Sequence, residues 1–204
     1  MSTSDQHLAN PTDANPADAS PTGTLVPDAL VPDTKDWTWV LERACPDCGL
    51  DTPAVAPTDV AAMVRANAAA WLAVLTKDED GLRRRPAPGV WSDLEYACHV
   101  RDVFRLFLVR LDLMLDQDGP LFANWDQDET AVAERYREQR PEVVSGELAE
   151  AAEALAAAFG AVSGEQWGRT GSRSDGARFT VESFARYLIH DPVHHLFDVT
   201  GERV

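Results

Sequence analysis

Residues 92–115 read SDLEYACHVRDVFRLFLVRLDLML and predict a long amphipathic helix. The segment from Ser92 to Glu95 has the form of a capping box, and Trp91 and Tyr96 flank it at the positions of a hydrophobic staple. A Gly-Pro pair at 119–120 ends the helix. The apolar positions recur at helical spacing and predict a wide buried face, formed by Ala97, Val100, Phe104, Phe107, Leu108, Leu111 and Leu115.

Three more helices are predicted around this one. The first begins at Thr58 as N-cap, the third covers about 143–162, and the last follows Thr180 as N-cap and reaches about residue 200. A long connection, 121–141, separates the second and third of these helices, and a polar loop precedes the last. Strand-like alternation is confined to the segment near Trp37. The pattern predicts an all-α protein built as a four-helix bundle.

The chain divides into three parts by composition. Residues 1–35 are rich in Pro, Asp, Ala, Thr and Ser, which predicts a disordered acidic tail, because such a segment buries too little apolar surface to offset its ordering entropy. Residues 36–57 are predicted to be an extended segment with a Cys-x-x-Cys loop, and residues 58–204 to be the bundle. A chain of 204 residues is long enough for one domain with a real core.

The charge and composition of the chain indicate which classes of binding partner to expect. The net charge of −16 argues against nucleic acid and against an anionic membrane surface, since both bind through Lys and Arg. The sequence has no secretory signal pattern and no apolar run near the ~20 residues of a membrane span. Three Cys are too few for a disulfide framework. We therefore expect a cytoplasmic protein with reduced thiols and a small-molecule substrate; a homodimer stays open.

Histidines near the end of the chain suggest a metal site. His190 and His194 are four residues apart, so they share one helix face, whereas His195 points about 140° away from His190. Pro192 lies between the pair and is expected to kink the helix. His99, on the second helix, is the natural third ligand. Three His ligands leave a position open for water or substrate, which is the pattern of catalytic sites.

Simpler interpretations of these residues remain open. His99 could be a core histidine with satisfied hydrogen bonds, and His190 and His194 could be surface residues balanced by acids. Asp102, Asp191 and Asp198 are candidates for supporting residues that orient the imidazoles, although plain surface charge also explains them. Four further residues are candidates for a substrate pocket: Asn67, Arg110, Trp125 and Tyr136. Asn67 is alternatively a core amide.

The segment Cys45-Pro-Asp-Cys48-Gly49 has the form of a zinc knuckle. A closed structural zinc site needs four ligands, and the chain has no second Cys pair, so other residues or a second subunit would have to complete it. A redox dithiol is the second interpretation. A loop without metal is the third.

Two segments resemble the signature segments of the DinB-like superfamily, which includes the mycothiol-dependent maleylpyruvate isomerases and related thiol S-transferases. They are PGVWSDLEYACHVRD, residues 88–102, and HDPVHHLFD, residues 190–198. The resemblance covers roughly residues 58–200. It implies a four-helix bundle with a long connection between the second and third helices. It also implies zinc or nickel, held by one ligand on the second helix and two, four residues apart, on the fourth. The matching positions are His99, His190 and His194.

Two functions follow as hypotheses. In the first, the protein is a metal-dependent enzyme whose metal activates either water or a low-molecular-weight thiol such as mycothiol, which makes it a hydrolase, or a thiol S-transferase or isomerase that acts on small electrophiles. In the second, it is a non-catalytic metal-binding or stress-associated protein. A bundle that holds no metal and uses its histidines for packing is a third and weaker interpretation.

Overall fold

The computed structural model describes residues 36–204, so the expected disordered tail at 1–35 lies outside the described residues. The described part contains six α-helices and one short hairpin. The helices are α1 (Val60–Val74), α2 (Glu79–Arg83), α3 (Asp93–Asp116), α4 (Gln127–Ala133), α5 (Pro141–Ala161) and α6 (Val181–Thr200), and the strands are β1 (Thr170–Ser172) and β2 (Arg178–Thr180).

Four long helices, α1, α3, α5 and α6, form the bundle. Helix α5 packs against both α1 and α3, and α6 packs against the same two helices. Helices α1 and α3 therefore lie at diagonally opposite positions of the bundle, although they are consecutive among the long helices of the chain. The connection between α3 and α5 is long and contains α4. The prediction of an all-α four-helix bundle with this long connection is confirmed.

Local sequence signals account for the starts of the two helices that carry the histidines. Ser92 caps α3, and its backbone N–H donates to Glu95 Oε2 at 2.9 Å, which completes the predicted capping box. Thr180 caps α6, where its hydroxyl oxygen accepts from the Ser183 N–H at 3.1 Å. The Trp91 and Tyr96 rings lie 5.5 Å apart, as expected for a staple. Sequence thus fixes where both helices begin.

The core holds α6 against α1 close to its histidines. Trp71 and Asn67 of α1 are buried, and both donate side-chain hydrogen bonds to the carbonyl oxygen of Pro192, at 3.3 Å and 2.9 Å. Burial of a large side chain such as Trp71 or Phe104 stabilises the fold by roughly 1.5–3 kcal/mol. Asn67 is therefore a core amide that holds α6, as the alternative interpretation of this residue predicted, and not a pocket residue.

Three local predictions were wrong. Residues 37–41 form a 3₁₀ turn, not an extended strand, because the Asp36 carboxylate caps it by accepting from the Thr38 N–H at 2.9 Å. Thr58 lies inside a second 3₁₀ turn, Pro57–Asp59, and does not cap α1. The polar loop before α6 contains the antiparallel hairpin β1–β2. Its three-residue strands are too short for alternation to reveal.

Both ends of the described chain pack near α6. The Arg186 guanidinium donates to the Val55 carbonyl oxygen at 2.9 Å, and Thr52 bonds to the Val40 carbonyl. The Val204 N–H donates to the Cys48 carbonyl oxygen at 3.1 Å. These hydrogen bonds hold the Cys-Pro-Asp-Cys loop beside α6.

Candidate metal centres

Helix α6 carries two pairs of potential ligands that are offset by one residue. His190 and His194 form one pair, and Asp191 and His195 form the other. Members of each pair are four residues apart and share a face, while the one-residue offset turns the second pair by about 100°. The two pairs therefore point at different neighbours, and each meets further ligand side chains there.

The first pair meets the two cysteines. We call Cys45, Cys48, His190 and His194 the Cys–His cluster. One ligand atom from each residue lies within 4.8 Å of the others. Cys45 Sγ is 3.6 Å from His194 Nδ1. In the sequence the Cys pair lacked two of the four ligands of a closed zinc site, and the fold places His190 and His194 beside it.

The cysteine loop has the tight turn of a zinc knuckle. The Cys45 N–H donates to the Leu50 carbonyl oxygen at 2.9 Å, and the Gly49 N–H donates to the Cys45 carbonyl oxygen at 3.0 Å. Gly49 has φ +87°, and a Cβ there would lie 2.9 Å from the Val204 carbonyl oxygen. Glycine is required at this position for both reasons.

Burial disfavours the charged forms of Cys48 and His190. Burial, and then the neighbouring Cys45, raise the pKa of the Cys48 thiol to about 11, although backbone N–H groups at Leu50 and Cys48 act in the opposite direction. Burial, followed by the nearby His194, lowers the pKa of His190 to about 4. Two neutral imidazoles and two nearby sulfurs are the donor set that suits zinc once a divalent cation offsets the thiolate charges.

The second pair meets helix α3. We call His99, Asp191 and His195 the His–Asp cluster, and their ligand atoms also lie within 4.8 Å of one another. His99 Nε2 is 3.4 Å from Asp191 Oδ1, and His195 Nε2 is 3.9 Å from Asp191 Oδ2. His195 Nδ1 lies 3.0 Å from Asp198 Oδ2, so Asp198 orients this imidazole.

His99 is the most constrained member of this cluster. Its side chain is fully buried and lies between Trp125, at 5.5 Å between ring centroids, and Trp91, at 5.1 Å. Neither of its ring nitrogens has a hydrogen-bond partner among residues 36–204. Burial raises the pKa of Asp191, but the charges of His99 and His195 outweigh it and bring that pKa to about 2. An anionic carboxylate thus faces an imidazole without a hydrogen-bond partner.

A cavity of about 390 Å³ borders both clusters. Its wall includes Trp125, Asp191, His195, Arg110 and Arg173. Arg110 Nη2 donates to the Ala123 carbonyl oxygen at 3.1 Å, but its buried Nε has no partner in the described part of the chain. Burial, and then the charge of Arg173, lower the pKa of Arg110 to about 10.

The predicted ligands are divided between the two clusters. The sequence grouped His99 with His190 and His194; in the structure His99 lies with Asp191 and His195, while His190 and His194 lie with the cysteines. His99 on α3 faces the side of α6 that carries Asp191 and His195, whereas His190 and His194 lie about 100° further round the helix. Asp191 and His195 were missed as a ligand pair, although their four-residue spacing was visible in the sequence.

The remaining candidates also divide. Arg110 and Trp125 line the cavity as expected. Asp198 contacts His195, as a supporting residue would, whereas Asp102 accepts from the Tyr136 hydroxyl at 2.6 Å and also pairs with Arg101. Tyr136 and Asn67 are buried away from the cavity wall. Asp102 and Tyr136 therefore form a structural pair beside α3.

The fold and the two clusters define a helical-bundle protein with two candidate metal centres. The DinB superfamily model matches residues 61–197, and the chain belongs to this superfamily. A solved structure with a similar fold is described as "YfiT from Bacillus subtilis is a probable metal-dependent hydrolase with an unusual four-helix bundle topology". The two share 18% identity over 71% of this chain and 84% of YfiT, with a TM-score of 0.65. No curated protein matches the sequence.

Within residues 36–204, every helix is too short or too polar to span a bilayer.

Proposed function

We propose that this protein is a metal-dependent enzyme acting on small molecules, and that His99, Asp191 and His195 hold its catalytic divalent metal. The observation that carries the proposal is His99, which is fully buried: Nδ1 has no hydrogen-bond partner in the described chain, and Nε2 makes no hydrogen bond there but lies 3.4 Å from the Asp191 carboxylate. Leaving a polar group buried and unsatisfied costs about 1–3 kcal/mol. A metal ligand is the role that makes this arrangement favourable.

The donor set suits such a role. Two imidazoles and one carboxylate are a known ligand set of catalytic zinc, with a further position open to water or substrate. The set also keeps the arrangement that the family resemblance implies, one ligand on the second bundle helix and two, four residues apart, on the fourth. It uses Asp191 and His195 for the pair on α6. Zinc and nickel both accept imidazole nitrogen, and we expect one of them.

The surrounding residues have separable tasks. When bound, the metal supplies a Lewis acid that lowers the pKa of a water or thiol ligand. Asp198 accepts from His195 Nδ1–H and so directs Nε2 towards the cluster. Trp91 and Trp125 cover His99 and exclude water from that side. Asp191 and His195 face the cavity, where a substrate can approach.

The cavity suggests the kind of substrate. Its volume of about 390 Å³ lies in the range of small-molecule pockets, roughly 300–1,000 Å³. Arg110 follows His99 by eleven residues on α3, so it lies on nearly the same helix face about 16 Å further along. Its Nε is free to donate to a carboxylate or carbonyl oxygen. We propose a small electrophile anchored there, attacked by a low-molecular-weight thiol such as mycothiol.

A hydrolase is the second candidate, because the structurally similar YfiT is described as a probable metal-dependent hydrolase. The same three ligands and the same cavity serve this reaction, with water replacing the thiol. The two candidates differ in one measurable respect, namely whether turnover depends on added thiol.

The test uses the full chain loaded with zinc or nickel. Conjugation of a model electrophile is measured with mycothiol, bacillithiol and glutathione, beside hydrolysis of small esters and amides. We expect one of these activities, and its loss in His99→Ala with one metal equivalent lost. His7→Ala, which changes a histidine outside the described residues, is the matched control. A metal-loaded protein with no activity in any assay would favour the non-catalytic metal-binding alternative.

A further inference from the structure

We propose that Cys45, Cys48, His190 and His194 bind one zinc ion in a closed tetrahedral site that fastens the N-terminal segment to α6. This site is separate from the His–Asp cluster, and its existence does not depend on the proposed catalytic function. Its role is structural, since four protein ligands leave no position for substrate.

The distance between two of the ligands matches a shared zinc ion. Zinc binds sulfur at about 2.3 Å and imidazole nitrogen at about 2.0–2.1 Å, so two such ligands on a tetrahedral ion lie about 3.5 Å apart. Cys45 Sγ and His194 Nδ1 are 3.6 Å apart. All four ligand atoms fit within 4.8 Å, which leaves the group compact enough for one ion.

The burial of the ligands and a nitrogen without a hydrogen-bond partner also support a metal at the Cys–His cluster. Cys48 is 0% and His190 4% exposed, and His190 Nε2 has no hydrogen-bond partner anywhere in residues 36–204. The Trp37 ring contacts both imidazoles in a tilted arrangement, at 5.3 Å from His190 and 5.0 Å from His194 between ring centroids. A buried imidazole nitrogen without a hydrogen-bond partner, close to two buried thiols, becomes favourable when a metal ion binds both kinds of ligand.

The loop and α6 supply the outer support that zinc sites need. The backbone N–H of Leu50 lowers the pKa of the Cys48 thiol and so favours the thiolate that zinc binds, although burial outweighs it. His194 Nε2 lies 3.8 Å from Asp198 Oδ1, on the side of the ring away from the cysteines. Carboxylates in this position orient a ligating imidazole. The same Asp198 contacts His195, so one carboxylate supports both clusters.

The site has a consequence for the whole fold. Cys45 and His194 are 149 positions apart, so a shared ion closes a very long loop. Links of this kind stabilise a protein mainly by restricting its unfolded chain, and metal binding then contributes directly to folding. Asp191 and His195 each directly follow a member of the His190–His194 pair on α6. An ion that holds the first pair against the cysteine loop therefore also fixes how α6 is rotated about its axis, and so keeps Asp191 and His195 facing α3.

The first test is elemental analysis and cobalt substitution of the full chain. We expect the wild type to bind two divalent ions, with a thiolate-to-cobalt charge-transfer band. Cys48→Ser is expected to lose one equivalent and that band, and to lower the Tm by ~10 °C. Cys98→Ser is the matched control, because Cys98 is also fully buried but bonds only weakly to Tyr136 and Gln139. It should keep both the ion and the band.

The outcomes separate this proposal from the catalytic one. His99→Ala should lose one ion yet retain the thiolate band, whereas a variant that loses activity with the band intact says nothing against the Cys–His cluster. If Cys48→Ser does not fold, zinc release from the wild type by a thiol-specific mercurial gives the same answer without a variant. A wild type whose zinc is not released by the mercurial, or whose Cys45 and Cys48 form a disulfide without zinc, would overturn the proposal.

Discussion

The two candidate metal centres on α6 are built from neighbouring residues yet differ in their donor atoms and in the exposure of one member. The Cys–His cluster has two sulfurs and two nitrogens, and Cys48 is 0% exposed. The His–Asp cluster has two nitrogens and a carboxylate, and the Asp191 side chain is 34% exposed at the cavity. A shift of one residue along the helix is enough to produce this difference.

The role of each histidine on α6 depends on which side chains it faces in the fold. His194 and His195 are adjacent in sequence and chemically identical, but one faces the cysteine loop and the other faces His99. Since about 100° separates them around the helix, they cannot serve the same ion. Substitutions in one cluster at a time should therefore affect one ion and spare the other.

The largest expected effect is the contrast between His195→Ala and His194→Ala. His195→Ala should reduce kcat/KM by more than ~100-fold, because loss of a ligand costs more than the 10–100-fold typical of its outer supports. It should leave the Tm nearly unchanged. His194→Ala should instead lower the Tm and remove the ion bound by the cysteines. Equal loss of both ions in each variant, measured by elemental analysis, would show that the two histidines share one site.

A destabilising change away from both clusters tests whether metal loss simply follows from a weaker fold. Glu95 and Arg85 form a buried ion pair with side chains 3% and 9% exposed. Removing one partner of such a pair costs about 3–5 kcal/mol, so Glu95→Ala should lower the free energy of unfolding by that amount, measured by urea titration. Both metal ions should remain. Glu153→Ala, in an exposed pair with Arg65, is the control and should cost ~1 kcal/mol or less.

The same pair gives a pH dependence. Burial raises the pKa of Glu95, but the hydrogen bonds from Arg85 and Ser92 outweigh it and hold the pKa below its ordinary value of 4.5. A lowered pKa in the folded state contributes stability that is present above pH 4.5 and is lost as pH falls through the folded value. Urea titrations of the wild type and Glu95→Gln should therefore converge on acidification below pH 4.5. Curves that stay parallel would contradict this assignment.

A smaller effect is expected at the carboxylate that touches both clusters. Asp198 is 3.0 Å from His195 Nδ1 but 3.8 Å from His194 Nε2. Asp198→Asn should therefore weaken metal binding at the His–Asp cluster by about 10–100-fold and affect the Cys–His cluster less. Competition with a chelator measures both affinities. Asp112→Asn, an exposed acid on α3, is the control. A larger loss at the thiolate-bound ion would reverse the assignment of Asp198.

The smallest effect concerns substrate binding at the far end of the cavity. Arg110→Met removes a donor proposed to hold an anionic or carbonyl group, and a hydrogen bond to a charged group is worth about 1.5–3 kcal/mol. We expect KM to rise by about 10-fold or more with a smaller change in kcat. Arg105→Met, on the same helix with a side chain 47% exposed, should leave both unchanged. A fall in kcat alone would place Arg110 in the chemistry and not in binding.

Much of the fold follows from short-range sequence signals. The capping boxes at Ser92 and Thr180 and the apolar spacing of α3 are local, so the starts of both histidine-bearing helices could be predicted. The hairpin β1–β2 could not, because three-residue strands carry too few positions for alternation. The 3₁₀ turn at 37–41 depends on a single cap at Asp36, which the aromatic pattern of that segment conceals.

The site was predictable in its residues more than in its grouping. The spacing of His190 and His194, and the position of His99, identified side chains that do lie in metal-ligand groups. Their division depends on how α6 is rotated against α3 and on where a loop 149 positions away from His194 docks. Neither is a local property. The two ligands that Cys45 and Cys48 lacked for a closed zinc site were the one sequence signal that could have linked the cysteines to His190 and His194.

The most direct test of two centres on one helix is a crystal structure of the metal-loaded protein, with anomalous diffraction data collected at the zinc absorption edge. The account predicts two peaks, one surrounded by Cys45, Cys48, His190 and His194 and one between His99 and the pair formed by Asp191 and His195. A single peak bound by His99, His190 and His194, with the two cysteines free of metal, would contradict it.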